Sequence, residues 1–383
     1  MKRRNFIKLS LFCASIVLLP IDISANEKSK KTLILVELDG GNDGLNTLVP
    51  FKERNYYKFR PTIALKEDEI NVIDREFGLN KNLHNIAKIY KEKNCAIVQG
   101  LGYDNPNLSH FRSIEIVETA SESNEYLNEG WIANELRRFD LTDIRPANAI
   151  LIGKRKKGDL FSSDLNVLQL RNINDFIKKS SQVKNRDSKL ALNSSLNFLQ
   201  NQEKSVLRAN KSFSKYAKNI EIQTAFEETD ISKDFKEALK IIKSEIDIPV
   251  IKISQKGYDT HANQLERQSE LLKDLDDAIG NFVIELKNNN LFEQVLIVTY
   301  SEFGRRVKEN GSNGTDHGTA SCQFVIGGKV KGGMYGKSPS LKNLNKNNLI
   351  YTTHYRSYYN TILSSWFGNK NNQFNTYKNL KFL

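Results

Sequence analysis

Cysteine is nearly absent, with three among 383 residues. That excludes a disulfide-built scaffold and leaves the fold to a hydrophobic core. Cys13 falls in the N-terminal leader. Cys95 and Cys322 each open an apolar run, as buried thiols do, and a bond between those two stays open. Long apolar runs are also missing: Leu9 to Pro20 is too short for a membrane span, and no later segment looks transmembrane. Neither an arginine-rich arm nor a zinc-finger spacing is present, so nucleic acid is not expected as a partner. No internal repeat is evident. No G-x-S-x-G elbow surrounds Ser109, which argues against a metal-free serine hydrolase.

What is present suits a globular enzyme or binding protein. A hydrophobic content of 39% supports a substantial core in one large α/β domain or two smaller ones. The formal net charge of +12 favours anionic partners such as phosphate or sulfate esters, acidic glycans or a membrane surface. Lys2-Arg3-Arg4-Asn5-Phe6-Ile7-Lys8 has the pattern of a twin-arginine signal, with Ile23-Ser24-Ala25 as a small-residue cleavage site. Residues 1–25 therefore read as a signal peptide, twin-arginine or ordinary, and the mature chain as exported to the periplasm or beyond. Bulky Phe12 before Cys13 speaks against lipid attachment there.

The chain is organised around Leu296 to Gly318. Val295 to Tyr300 is an unbroken apolar run, the signature of a strand buried on both faces of a parallel sheet. It stops at Ser301-Glu302-Phe303-Gly304, which places Glu302 at the strand's carboxyl end, the rim where open α/β sheets bind ligands. A polar loop then delivers Asp316 beside His317. Ile248 to Ser254 repeats the strand pattern and runs into Gly257-Tyr258-Asp259-Thr260-His261, where Asp259 and His261 share a face if extended. Lys31 to Leu38 is the first core strand and enters Asp39-Gly40-Gly41-Asn42-Asp43-Gly44, a loop that is either a ligand-hugging turn carrying Asp39 and Asp43 or simply a turn. Cys95 to Gly100 is a second parallel strand. After it, Ser109 and His110 fall near a helix start, with Ser109 a nucleophile, a metal ligand or merely an N-cap.

The spacing predicts helices over 82–93, 265–288 and roughly 353–367. Ala147 to Ile152 and Cys322 to Ile326 read as further strands. Lys154-Arg155-Lys156-Lys157 reads as a solvated turn, and about 172–243, with Leu192, Leu196 and Leu199 at helical spacing, as a helical insertion. His84 reads as a surface or packing residue. Two Asp/His pairs, an acidic strand terminus and a Gly/Asp loop on one rim make the usual donor set of a hydrolytic Zn²⁺ or Mn²⁺ site.

The motifs Asp39 to Asn46, Asn107-Leu108-Ser109-His110-Phe111, Asp259 to Gln264, Ser301 to Arg305 and Gly314 to Gly318 resemble, jointly and in order, those of the exported family labelled domain of unknown function 1501. The resemblance implies the alkaline phosphatase and sulfatase superfamily. That in turn implies a three-layer α/β sandwich around a mostly parallel sheet, two metals, and a Ser, Thr or formylglycine nucleophile cleaving phosphate or sulfate esters. By it Asp39 or Asp43 matches the first-strand ligand, Ser109 the nucleophile, Asp259 and His261 one metal's ligands, Glu302 the acidic strand end and His317 a late ligand. This chain departs from the superfamily in having Ser301-Glu302-Phe303 where Asp-His is common, and in spacing Asp259 and His261 two apart where four is usual.

The expectation is an exported metal-dependent hydrolase of an anionic ester. The metal ligands would come from Asp39, Asp43, Asp259, His261, Glu302, Asp316 and His317, the metal being Zn, Mn, Ca or Mg. Ser109 and His110 would act in the pocket, and Arg305 or Arg112 would offer charge to the leaving anion. The rival expectation is a non-catalytic exported protein of the same fold that binds a glycan or surface partner.

Overall fold

The computed structural model describes residues 30–153, 158–183 and 194–383, with the backbone alone for 194–199. The expected signal segment with Cys13, the basic cluster 154–157 and Leu192 lie outside the described residues, as do the side chains of Leu196 and Leu199.

The strands of the main sheet are β1 (Thr32–Asp39), β2 (Cys95–Gly102), β3 (Ala149–Ile152), β4 (Val167–Leu170), β5 (Val250–Lys256), β6 (Val295–Tyr300), β7 (Ser321–Gly327), β8 (Gly333–Tyr335) and β9 (Thr353–His354). The helices that matter here are α1 (Gly44–Thr47), α2 (His84–Lys91), α3 (His110–Thr119), α4 (Ile173–Ser180), α5 (Ser194–Tyr216), α6 (Asp230–Lys243), α7 (Gln264–Asn288) and α8 (Tyr355–Thr361). The strand order is β8-β2-β7-β6-β1-β5-β3-β4, with β9 beside β2. Every pairing is parallel except those of β7, which runs antiparallel to both β2 and β6.

The near-continuous apolar runs are explained by cover on both faces. Alternate side chains of one strand enter different cores: Ile34 and Val36 join Ile86 of α2, Phe235 of α6 and Leu272 and Phe282 of α7. Leu33 and Leu35 join Ile116 and Val117 of α3 and Tyr358 and Tyr359 of α8 on the other side. The result is a mixed, mostly parallel sheet between two helical layers, the α/β class read from the sequence. Cys95 and Cys322 are free, buried thiols. The register shows why they do not pair, since Cys95 lies opposite Ile326 rather than Cys322.

The expected C-terminal helix is shorter than its pattern. Thr353 and His354 extend β2's edge as β9, α8 begins at Tyr355, and a π turn closes it at Ile362–Trp366. Among the described residues, no helix is long and apolar enough to cross a membrane.

One charged group lies inside the second core. Lys252 of β5 is fully buried, and its Nζ contacts Glu118 of α3 at 2.6 Å, Asp159 at 2.9 Å and Glu37 of β1 at 3.6 Å. Three carboxylates around one ammonium cannot all ionise cheaply in a dry interior. Burial pushes the Glu118 carboxyl up to about 8 against the pull of Lys252.

Candidate metal centre

The carboxyl ends of β1, β5 and β6, with the loop before α3, meet at one rim. β1 ends in a reversal at Gly40, whose φ is +122° and where a Cβ would lie 2.4 Å from the Asp259 nitrogen. Only glycine lets the loop after β1 approach the loop after β5 this closely. The Gly40 N–H donates to both Glu302 oxygens, at 3.0 and 3.2 Å, and so locks β1's loop to the end of β6. Arg305, fully buried, donates from Nε to the Gly41 carbonyl, from Nη1 to that of Thr315 and from Nη2 to that of Tyr258, and holds Asp259 Oδ1 at 2.6 Å. Backbone turns that would otherwise leave carbonyls unpaired are gathered on one guanidinium.

Three imidazoles converge on Asp259. His110 Nε2 lies 3.5 Å from Asp259 Oδ2, while His261 Nε2 and His317 Nε2 lie 3.1 and 3.3 Å from Oδ1. His261 Nε2 and His317 Nε2 are 3.0 Å from each other. Each ring is held from behind through Nδ1: His110 by Glu302 at 2.8 Å, His317 by the Leu108 carbonyl at 2.7 Å, and His261 by Asp316 at 3.4 Å. A carbonyl can only accept, so His317 Nδ1 carries the proton and its Nε2 offers a lone pair; Glu302 imposes the same tautomer on His110 when ionised. That is how metal-binding histidines are oriented.

The spacing and chemistry fit a cation. A tetrahedral ion with Zn–N bonds of about 2.0–2.1 Å sets its donors roughly 3.3 Å apart. Donor atoms of His110, Asp259 and His317 all lie within 4.8 Å of one another. His110 Nε2 is buried without a hydrogen-bond partner among the described residues, which is costly unless something fills the space in front of it. The local pKa shifts follow the same contacts. The hydrogen bond to Glu302 raises the His110 imidazole above its ordinary value. Burial lowers that of His317. Burial pushes the Asp259 carboxyl up, but the bond from Arg305 and the charges around it bring it below the usual range.

The structure redistributes the expected roles. Asp259, His261 and His317 meet directly. Glu302 is buried and Asp316 half-buried, and both stand behind imidazoles as orienting carboxylates rather than at the front. Asp43 is elsewhere: it caps α1 and forms a fully buried ion pair with Arg60, Nη1 to Oδ2 at 2.6 Å and Nη2 to Oδ1 at 3.0 Å. Both its oxygens are thus taken by a guanidinium. Asp39 ends β1 half-buried, and its carbonyl accepts from the Tyr258 N–H. Neither arginine expected to offer charge faces outward. Arg305 serves the loops as described, and Arg112 is bound to Glu115 and to the carbonyls of 122, 123 and 125. Ser109 sits exposed at the α3 N-cap position, yet its side chain makes no capping bond.

His110, placed by sequence reasoning among catalytic groups, joins the donor cluster instead. The signal that could have found it is its place on the loop leaving β2's carboxyl end, the same rim as the other donors. A second group, His84 with Asp276 and Asp277, is structural. Asp276 caps the Asn85 and Ile86 N–H groups, and Asp277 pairs with Lys273 at 2.6 Å.

Comparison with known proteins is consistent with one family. A family described as "Protein of unknown function (DUF1501)" matches residues 94–382. No curated protein matches in sequence. Solved structures that superpose include the C-terminal periplasmic domain of EcEptC from Escherichia coli in complex with Zn, at 8% identity and TM-score 0.39 over 78% of this chain and 73% of that one. A protein in the alkaline phosphatase superfamily from Vibrio parahaemolyticus does so at 11% and 0.39 over 88% and 66%. The alkaline phosphatase of the Antarctic bacterium TAB5 does so at 12% and 0.37 over 79% and 92%. Superpositions this loose carry nothing about reaction or ligand.

Proposed function

We propose that this chain, which belongs to the DUF1501 family, is an exported hydrolase that holds a divalent cation at His110, Asp259, His261 and His317 and cleaves a phosphate or sulfate ester. The observation that carries this reading is the convergence of three Nε2 atoms on one carboxylate, with every ring anchored through its other nitrogen. When bound, such an ion supplies Lewis-acid polarisation of the ester oxygens and lowers the pKa of the attacking hydroxyl. The chain's own residues do the rest. Glu302, the Leu108 carbonyl and Asp316 keep the imidazoles aimed, and Arg305 fixes Asp259. The Ser109 hydroxyl, exposed and free of a cap bond beside His110, is the nucleophile of this reading. The free N–H groups of α3's first turn stabilise negative charge building near it. Export rests on reading residues 1–25 as a signal peptide, twin-arginine or ordinary, and the net charge of +12 suits an anionic substrate.

Elemental analysis of the exported protein tests the centre. We expect one stoichiometric divalent metal, lost in His317→Ala, and metal-dependent turnover of aryl phosphates or sulfates that Ser109→Ala abolishes. Protein without metal, and without any gain on adding Zn, Mn, Ca or Mg, would falsify the reading. A non-catalytic exported protein that keeps one metal and binds a glycan is favoured by one observation: Arg305 and Arg112 are both turned inward, away from any leaving anion. Metal retention with glycan binding and no turnover would decide for it.

A further inference from the structure

Beside α1, where β2 ends and β7 begins, lies a cavity of about 400 Å³ whose lining includes none of the donors of the metal centre. Leu45, Leu48, Phe77, Leu341 and Leu349 make its walls apolar. Alternation along β2 puts Gln99 on the same face as Cys95 and Ile97, and that face is shared with Cys322 of β7. The Gln99 carboxamide and the Cys322 thiol therefore both border the space. Burial pushes the thiol up to about 12, so at neutral pH it is an uncharged piece of wall.

Gln99 is the polar exception in this lining. It is only 6% exposed, and its carboxamide has no hydrogen-bond partner among the described residues. The other buried glutamines, Gln255, Gln264, Gln268 and Gln323, are all bonded to groups of the chain. A buried amide left alone is costly unless the space in front of it supplies partners. The charged lining lies at the exposed mouth and is balanced in sign, Lys52 and Lys342 against Glu53 and Glu76, and Lys52 is already paired with Glu67 at 3.1 Å. Nothing there selects for an ion. Apolar walls, one oriented polar group and a volume within the range of roughly 300–1,000 Å³ are what small-molecule pockets share.

We propose that this cavity is a second binding site, which takes a neutral small molecule with an apolar body and an amide-type edge that pairs with Gln99. A carboxamide offers an N–H donor and a C=O acceptor side by side. Its complement is the same pair reversed, as a primary amide, lactam or imide carries it. The site stands apart from the metal centre, and its occupancy does not depend on the hydrolase reading.

Benzamide and N,N-dimethylbenzamide, titrated into the full chain and followed by ligand-observed NMR with and without a chelator, test it. A pair of neutral hydrogen bonds is worth about tenfold in affinity. Benzamide should bind at one site about tenfold more tightly than its dimethyl analogue, which has lost both donors. Gln99→Leu, close in size, should remove that advantage while Tm stays unchanged or rises, since the orphaned amide is gone. The chelator should alter neither affinity. Absence of benzamide binding overturns the proposal, and so does equal affinity of benzamide for wild type and Gln99→Leu. Binding that disappears with the chelator places the probe at the metal centre and also overturns it. Should Gln99→Leu fail to fold, the two amides on wild type still decide, with equal affinities counting against the site.

Discussion

At Glu302 a single carboxylate ties two loops and one imidazole together, and its neutral amide analogue separates those roles. Glu302→Gln keeps shape and the acceptor oxygen for Gly40 but weakens the anchor on His110 Nδ1. Orienting partners of this kind typically change metal affinity by about 10- to 100-fold. We therefore expect Glu302→Gln to fold, to bind metal more weakly by that factor in a competition with a chelator, and to keep its Tm within a few degrees. Asp43→Asn should behave in the opposite way. Removing one partner of a buried ion pair costs on the order of 3–5 kcal/mol, so denaturant midpoints should fall sharply while the folded fraction still binds metal. These two carboxylates looked alike in the sequence, since each follows a core strand on the same rim. Asp259, His261 and His317 were legible because Asp/His pairs after predicted strands are unusual enough to notice. The front and back positions were not legible, because they depend on partners far along the chain: Glu302 meets His110 from 192 residues away. Nothing in the spacing of Asp43 and Arg60 announces their pairing either.

Helix α3 links the rim to the interior. His110 stands in its first turn, and Glu118, near its other end, reaches the buried Lys252. Gly158 makes room for this, since a Cβ there would fall 2.0 Å from a Glu118 oxygen. The raised Glu118 pKa has a definite sign. A carboxyl that titrates at about 8 when folded and near 4.5 otherwise binds its proton more tightly in the native state. Its contribution is full below about pH 4.5 and is lost as pH rises through about 8. Thermal unfolding followed between pH 5 and 9 should show stability declining over that window, and Glu118→Gln should flatten the decline. Lys252→Met, which strands three carboxylates, should destabilise far more than the double variant Lys252→Met with Glu118→Gln. The helices themselves were readable from periodicity: 82–93 and 265–288 contain α2 and α7 almost residue for residue. The start of α8 was not, because Thr353 and His354 add to the sheet edge through backbone bonds that side-chain pattern does not encode.

For the molecule as a whole, the apolar runs announced a sheet buried on both faces, and the topology fills that in. The family match begins at residue 94, after β1 and the Asp39 to Asn46 loop, yet β1 is central, paired with both β5 and β6. Strand order could not be read from the chain, because neighbours in the sheet are set by which crossovers pack and not by sequence proximity. The antiparallel β7 is the clearest instance, since as an apolar run it looked like every other strand.

That strand has a consequence for biogenesis. β7 is inserted between β6 and β2, so β2 stays apart from the rest of the sheet until residues 321–327 have been synthesised. A nascent polypeptide halted before Ser321 would leave one edge of β6 and both edges of β2 bare and would be a substrate for chaperones and proteases. Limited proteolysis of a chain truncated at residue 320 should accordingly degrade it throughout, with no resistant N-terminal fragment.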